Sequence, residues 1–198
     1  LCEYTGAPFA VAVNSCTMAL LLAVAWHVQK QRRWAVEVGA LGGLTIEIPK
    51  RTYVSVPQSI IHAGGRPTFR DEDWSGYYKL NPINVWDSAR WFTSDLYATI
   101  AGPLGRMVCV SFHASKTLGD SQGGAILHDD PEADVWLRRA RFDGRTEGVA
   151  PKNDSFDMLG WHCYLSPDVS ARLLWKLSVL PKHNAPLPND DYPDLSIH

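Results

Sequence analysis

The chain alternates between apolar runs of strand length and longer segments with helical spacing. Residues 9–13 form a short apolar run that ends in Asn14-Ser15-Cys16-Thr17. Residues 18–26 then read as a largely buried helix ending near the polar cluster 29–33, with small hydroxyl residues placed for capping just before it. Residues 45–48 predict a strand stopped by Pro49, and residues 52–63 a helix with Pro57 near its start and Gly64-Gly65 closing it. Residues 67–69 predict the next strand, so this stretch is a strand–helix–strand unit, which favours a parallel sheet. Residues 73–82 are polar, aromatic and turn-rich and read as a loop. Residues 83–86 predict a strand that delivers Asp87 at its carboxyl end, with a helix from Ser88 onward. Two further strands, 107–112 and 125–127, flank a polar turn that holds a single lysine, Lys116. Helices are expected from Asp129-Asp130-Pro131 to about Phe142, with Arg138, Arg139 and Arg141 on a solvated face, and over 169–180, ended by Pro181. The pattern divides the chain into an α/β domain, 1–181, and a Pro-rich tail, 182–198, that is extended or disordered.

Composition adds bounds. At 198 residues, 45% hydrophobic and 20% charged, the chain can bury one substantial core. A net charge of -2 carries no basic field for nucleic acid, so no nucleic-acid partner is expected. The longest apolar run, 18–26, is too short to cross a bilayer, so no membrane association is expected either. The chain opens on Leu1 without a basic leader, so no secretory signal is visible, and the absent initiator Met reads as a fragment or trimmed chain. Cys2, Cys16, Cys109 and Cys163 show no metal-binding or disulfide spacing and read as reduced thiols in a cytoplasmic protein, with no metal site.

The chemistry centres on Lys116. A lysine at the mouth of a sheet is either a solvated loop residue or the amine of a Schiff-base enzyme. Ser15-Cys16-Thr17 before a helix is either a plain cap or an anion site formed by free N–H groups. Asp87 either caps a following helix or faces a ligand at a strand's carboxyl end.

Six stretches in order resemble the DegT/StrS family of pyridoxal-phosphate-dependent sugar aminotransferases. They are Gly6 with residues 11–20, residues 49–53, residues 64–71, Trp86-Asp87-Ser88-Ala89-Arg90, residues 111–124, and residues 159–164. The resemblance implies a fold type I, three-layer αβα sandwich with a mainly parallel sheet, its small C-terminal domain missing. It implies pyridoxal 5'-phosphate as cofactor. Lys116 would form the Schiff base and act as the base, and Asp87 would pair with the pyridine nitrogen. Cys16, Thr17 and Ser111 would hold the phosphate, and Tyr53 would stack on the ring. Arg90 stands where the family has a glutamine facing the phenolic oxygen. His162 stands where an asparagine reaches the partner subunit's phosphate. The implied reaction moves an amino group from glutamate to a keto group of a nucleotide-linked sugar, in a homodimer.

Departures accompany the match. Cys16 replaces the motif glycine, Tyr164 replaces the arginine of the last motif, and the route from Asp71 to Asp87 is short, as though a strand–helix unit were deleted. The lost segments, with the changes at Arg90 and His162, favour a second reading, a degenerate homologue that binds cofactor or a protein partner without full transamination. A dehydratase is a third reading, opposed by Lys116, because related dehydratases carry histidine there.

Overall fold

The computed structural model describes residues 1–38, 43–100 and 102–197. Two apolar clusters lie on opposite faces of a five-stranded sheet, which makes the three-layer α/β/α sandwich that the resemblance implied. The strands are β1 (Phe9–Val13), β4 (Tyr78–Leu80), β5 (Val85–Asp87), β6 (Met107–Ser111) and β7 (Gly124–His128), in the order β1-β7-β6-β5-β4. A separate parallel pair, β2 (Thr45–Pro49) and β3 (Arg66–Arg70), flanks α3 (Ser55–His62) and is the strand–helix–strand unit that the sequence predicts. One antiparallel bridge, Glu47 to Asn81, ties this pair to the end of β4.

Alternation on β6 explains both layers. Met107 and Cys109 join the cluster formed with α2 (Cys16–Val38), α3 and α5 (Pro131–Ala140). Val108 and Val110 join the opposite cluster with α4 (Leu96–Thr99) and α6 (Pro167–Val179). A strand covered on both faces reads as a continuous apolar run rather than an alternating one, and every residue of β6 and β7 is buried.

Strand pairing corrects the expectation of a mainly parallel sheet. Within the five-stranded sheet, among the described residues, only β5 and β6 pair in parallel; β1–β7, β7–β6 and β5–β4 are antiparallel. Connection length is the cause. Residues 81–84 link β4 to β5, far too few for a parallel crossover, and the helix-free loop 112–123 links β6 to β7. Strands β1, β5 and β6 still share one direction, with β7 and β4 reversed.

Several local expectations shift as well. Strand β4 lies inside the stretch read as a loop, 73–82. Helix α2 begins at Cys16 and runs past the polar cluster to Val38, because Gln, Lys and Arg are good helix formers and the next glycine is Gly39. No helix starts at Ser88; residues 88–94 turn, and α4 begins only at Leu96. Helix α5 starts as expected, with Asp130 accepting from the Glu132 and Ala133 amides at 2.9 and 3.1 Å. Its arginines are not a free face. Arg138 pairs with Asp134 at 2.7 Å, Arg139 pairs with Asp157, and Arg141 donates to the Ala12 carbonyl and pairs with Glu147.

Residues 182–197 run back over the sheet ends as a strap. The Lys182 carbonyl accepts from the Ser94 amide at 2.8 Å, the Leu187 amide donates to the Arg90 carbonyl at 2.8 Å, and the Leu195 amide donates to the Lys50 carbonyl at 2.8 Å. Among the described residues, no helix is long and apolar enough to cross a membrane.

Candidate active site

A cavity of ≈ 370 Å³ opens where the carboxyl ends of β5 and β6 meet the start of α2. Of the residues singled out in the sequence, Cys16, Thr17, Tyr53, Asp87, Arg90, Ser111 and Lys116 all line it. His162 does not. It lies on the segment after α5, exposed, with Nδ1 2.7 Å from Asp143 Oδ2 and its ring edge-on to Tyr164.

Lys116 is carried by the loop 112–123. The loop is closed at its base by the Phe112 amide on the Gly123 carbonyl at 2.8 Å and the Asp120 amide on the Phe112 carbonyl at 3.0 Å. The Lys116 amide donates to the His113 carbonyl at 2.8 Å, so the turn that presents the side chain is set by backbone bonds. A Cβ on Gly119 would lie 2.6 Å from the Ala114 carbonyl oxygen and 2.7 Å from that of Lys116. Only glycine fits this tight a fold of the chain. Helix α6 pins the loop from outside: Arg172 Nε donates to Asp120 Oδ2 at 2.9 Å and Lys176 Nζ to Asp120 Oδ1 at 2.8 Å. Burial, with Arg90 nearby, lowers the Lys116 pKa, so more of its amine is neutral than in a free lysine.

These bonds from Arg172 and Lys176 hold the Asp120 carboxyl well below its ordinary 3.8. A carboxyl held low in the folded state stabilises the fold above its unfolded pKa, and that contribution is lost as pH falls through the folded value. Asp120→Asn is therefore expected to flatten the acid limb of the stability curve below about pH 4. It should also speed amide exchange in residues 113–120. Unchanged exchange in that loop would show that the α6 clamp does not hold it.

Asp87 is buried at the end of β5. The register Tyr78↔Asp87 sets the tyrosine opposite it, and Tyr78 Oη donates to Asp87 Oδ2 at 2.7 Å. The Tyr78 proton being spent there, the 2.6 Å contact with Thr52 Oγ1 must have Thr52 as donor. The Ala89 amide donates to Asp87 Oδ1 at 2.9 Å, so the aspartate holds the turn after β5 as well as facing the cavity. Burial nonetheless raises its pKa, with Tyr78, Ala89 and Lys116 opposing the rise. A carboxylate so placed lacks a full counter-charge, and a protonated heterocycle nitrogen would supply one.

The start of α2 forms the opposite end. Ser15 Oγ accepts from the Met18 amide at 3.2 Å, while the Cys16 and Thr17 amides lie in the first turn, where a helix leaves N–H groups unpartnered. Thr17 Oγ1 donates to Ser55 Oγ at 2.9 Å, and the Ser59 hydroxyl donates to the Thr17 carbonyl at 3.2 Å. These amides, the Ser111 hydroxyl and the helix dipole could hold a phosphate. Burial, with Asp87 nearby, pushes the Cys16 thiol well up, so it contributes bulk and an amide rather than a thiolate.

Sequence reading missed part of the wall. Trp74, from the stretch read as a loop, and Asp190 and Tyr192, from the tail, line the cavity, and Tyr78, also from that stretch, bonds Asp87. Trp74 stands edge-on to Tyr78 with ring centroids 4.7 Å apart and stacks with Tyr192 at 6.1 Å. The apolar–polar–apolar step at Tyr78-Lys79-Leu80 was the available signal for β4, and its burial follows that step.

The profile of the DegT/DnrJ/EryC1/StrS aminotransferase family matches residues 1–85 and 83–185. The spore coat polysaccharide biosynthesis protein SpsC of Bacillus subtilis (strain 168) is 26% identical, covering 74% of this chain and 44% of its own. Among solved structures, the sugar aminotransferase CalS13 of Micromonospora echinospora aligns with a TM-score of 0.65 at 18% identity, covering 89% of this chain and 57% of its own. The Helicobacter pylori aminotransferase PseC, involved in the biosynthesis of pseudoaminic acid, aligns with a TM-score of 0.66 at 18% identity, covering 91% and 56%. The chain thus spans about half the length of these relatives. The solved structures share its fold, the fold type I aminotransferase architecture, and the profile spans nearly all of its residues; this chain belongs to the DegT/DnrJ/EryC1/StrS aminotransferase family.

Proposed function

We propose that this chain is the cofactor-binding domain, residues 1–181 with the tail 182–198, of a pyridoxal-phosphate-dependent aminotransferase acting on a sugar. One observation carries the reading: Lys116, Asp87, Ser111 and Thr17, from separate elements, line one cavity. A fold does not need these four together for its stability, whereas one cofactor does. Pyridoxal phosphate, when bound, supplies an aldehyde and an electron-withdrawing ring that weakens bonds at an attached amino carbon.

Each side chain has a separate task. Asp87, kept dry and braced by Tyr78, holds the proton on a ring nitrogen and stays ionised by doing so. The Cys16 and Thr17 amides, with the Ser111 hydroxyl, would bind the phosphate end. Tyr53, at the mouth, covers a ring face. Lys116, its amine partly neutral, would hold the aldehyde end of the cofactor and would carry a proton to and from the amino carbon of the substrate. The full assignment takes glutamate as amino donor and a nucleotide-linked sugar as acceptor. It places the enzyme in the cytoplasm as a homodimer in which His162 faces the partner subunit's phosphate. The likeness to the sugar aminotransferase CalS13, and to PseC of pseudoaminic acid biosynthesis, supports the sugar. The second reading, a cofactor binder without turnover, draws on Arg90 in place of the family's glutamine.

The test is spectroscopic. Protein reconstituted with pyridoxal phosphate is expected to absorb visible light, and borohydride should fix the cofactor's mass on the peptide containing Lys116. A colourless protein after reconstitution would sink the enzyme reading. Bleaching of the colour by glutamate would separate an aminotransferase from an inert binder.

A further inference from the structure

Arg90 carries a charge into the cavity wall with little to answer it. Its side chain is 8% exposed, and among the described residues its one ion pair is Nη1 to Asp190 Oδ2 at 2.8 Å. Among the described residues, its buried Nε has no acceptor. A guanidinium presents several N–H groups in a planar fork that a carboxylate meets with both oxygens. Asp190 engages it through one oxygen, from a strap tied down beside it by the Leu187 amide on the Arg90 carbonyl and Asn189 Nδ2 on the Trp74 carbonyl. The second half of the fork is left unmet. Asp190 itself is 63% exposed, and besides Arg90 its Oδ2 accepts from Tyr192 Oη at 3.2 Å, a bond it exchanges for water when it turns outward. Lys116 lies close enough for Arg90 and Asp190 both to bear on its charge, so the pair is at the chemical end of the cavity.

We propose that the Arg90 guanidinium is a carboxylate subsite of this cavity, and that Asp190 holds it in competition with a small free carboxylic acid. The strap is then a built-in competitor: a ligand with an untethered carboxylate takes both N–H groups, and Asp190 moves out to solvent. This inference deepens the proposed function by naming the side chain that meets an amino or keto acid, but its test needs no cofactor.

Cofactor-free protein is titrated with 2-oxoglutarate by calorimetry. Asp190→Asn removes the competitor without touching a buried group, and is expected to tighten binding about tenfold, since the competent state no longer has to be freed. Arg90→Gln should abolish binding, and Arg90→Lys, which keeps charge but loses the fork, should weaken it. In the native protein, 2-oxoglutarate should speed exchange of the Leu187 amide. Equal affinity of native and Asp190→Asn proteins would overturn the proposal, as would undiminished binding by Arg90→Gln. Inorganic phosphate binding as tightly, with the same dependence on Arg90, would also overturn it by making the subsite one for phosphate. A negative result here leaves the borohydride experiment standing, and failure of that experiment leaves this one intact.

Discussion

Lys116→Ala is expected to leave a folded protein that no longer retains cofactor after borohydride and exchanges amino groups about 10²–10⁴-fold more slowly. The size reflects loss of the proton-carrying base. The fold should survive because the bond recorded for this residue is made by its backbone amide, to the His113 carbonyl, which alanine keeps. Stability has a definite sign. The folded pKa of Lys116 lies below its ordinary value through burial and Arg90, so the folded state resists taking its proton. For a base shifted down, the unfolded chain binds the extra proton, and stability rises as pH climbs from the folded to the unfolded value. At neutral pH Lys116 therefore costs the fold something, and the alanine variant should melt no lower than the native protein. Melting curves across the alkaline range check this: the rise with pH should be present in the native protein and absent in the variant. A variant that melts well below the native protein at neutral pH would show that the side chain is a structural support.

Gly124→Ala is expected to destabilise the protein by about 1–3 kcal/mol, the usual range for forcing added carbon into a packed site, and to weaken binding of pyridoxal phosphate. A Cβ there would sit 2.6 Å from the Cys16 nitrogen and 2.6 Å from the Ser15 carbonyl carbon. Both are backbone atoms at the first turn of α2, with no flexible side chain to swing aside. Gly124 also pairs with Val13 and Ser111 in its two neighbouring strands. The added methyl must push the start of α2 off the sheet, moving the amides that face the cavity. Denaturant melts give the first effect and cofactor titration the second. A fully stable variant with native affinity would show that β7 and α2 do not need this close approach.

How much of this was legible beforehand depends on the kind of signal. The α/β class, the β2–α3–β3 unit and the strand ends carrying Asp87 and Lys116 follow from apolar runs and their punctuation, which are local. So does the cap at Asp130. Strand direction was not legible, because it depends on whether a connection is long enough to cross over, and β4 itself was hidden inside an apparent loop while residues 83 and 84 of the short link read as strand. Polar residues at 29–33 misled in the opposite way: polarity marks exposure, and a helix that reaches beyond its sheet stays helical on exposed residues. The tail was the largest gap at the site. Asp190 and Tyr192 have no periodicity, and they gain meaning only from what they lie against, Arg90 and Trp74. Arg90 stood out in sequence as a departure, but its partner came from a stretch read as extended or disordered.

The antiparallel insertion of β7 has a consequence for how the molecule is made. Strand β1 gains its sheet partner only when the chain has been synthesised through His128, since β1 pairs with β7 from Phe9↔His128 to Val13↔Gly124. Until then β1 lacks its β7 partner and presents that edge bare, and the turn after it lacks the β7 backbone it packs against. Such an edge invites mispairing in proportion to the time it stays bare. The phosphate end of the cavity, built on that turn, is therefore completed only after β7 has been made, well after its own residues.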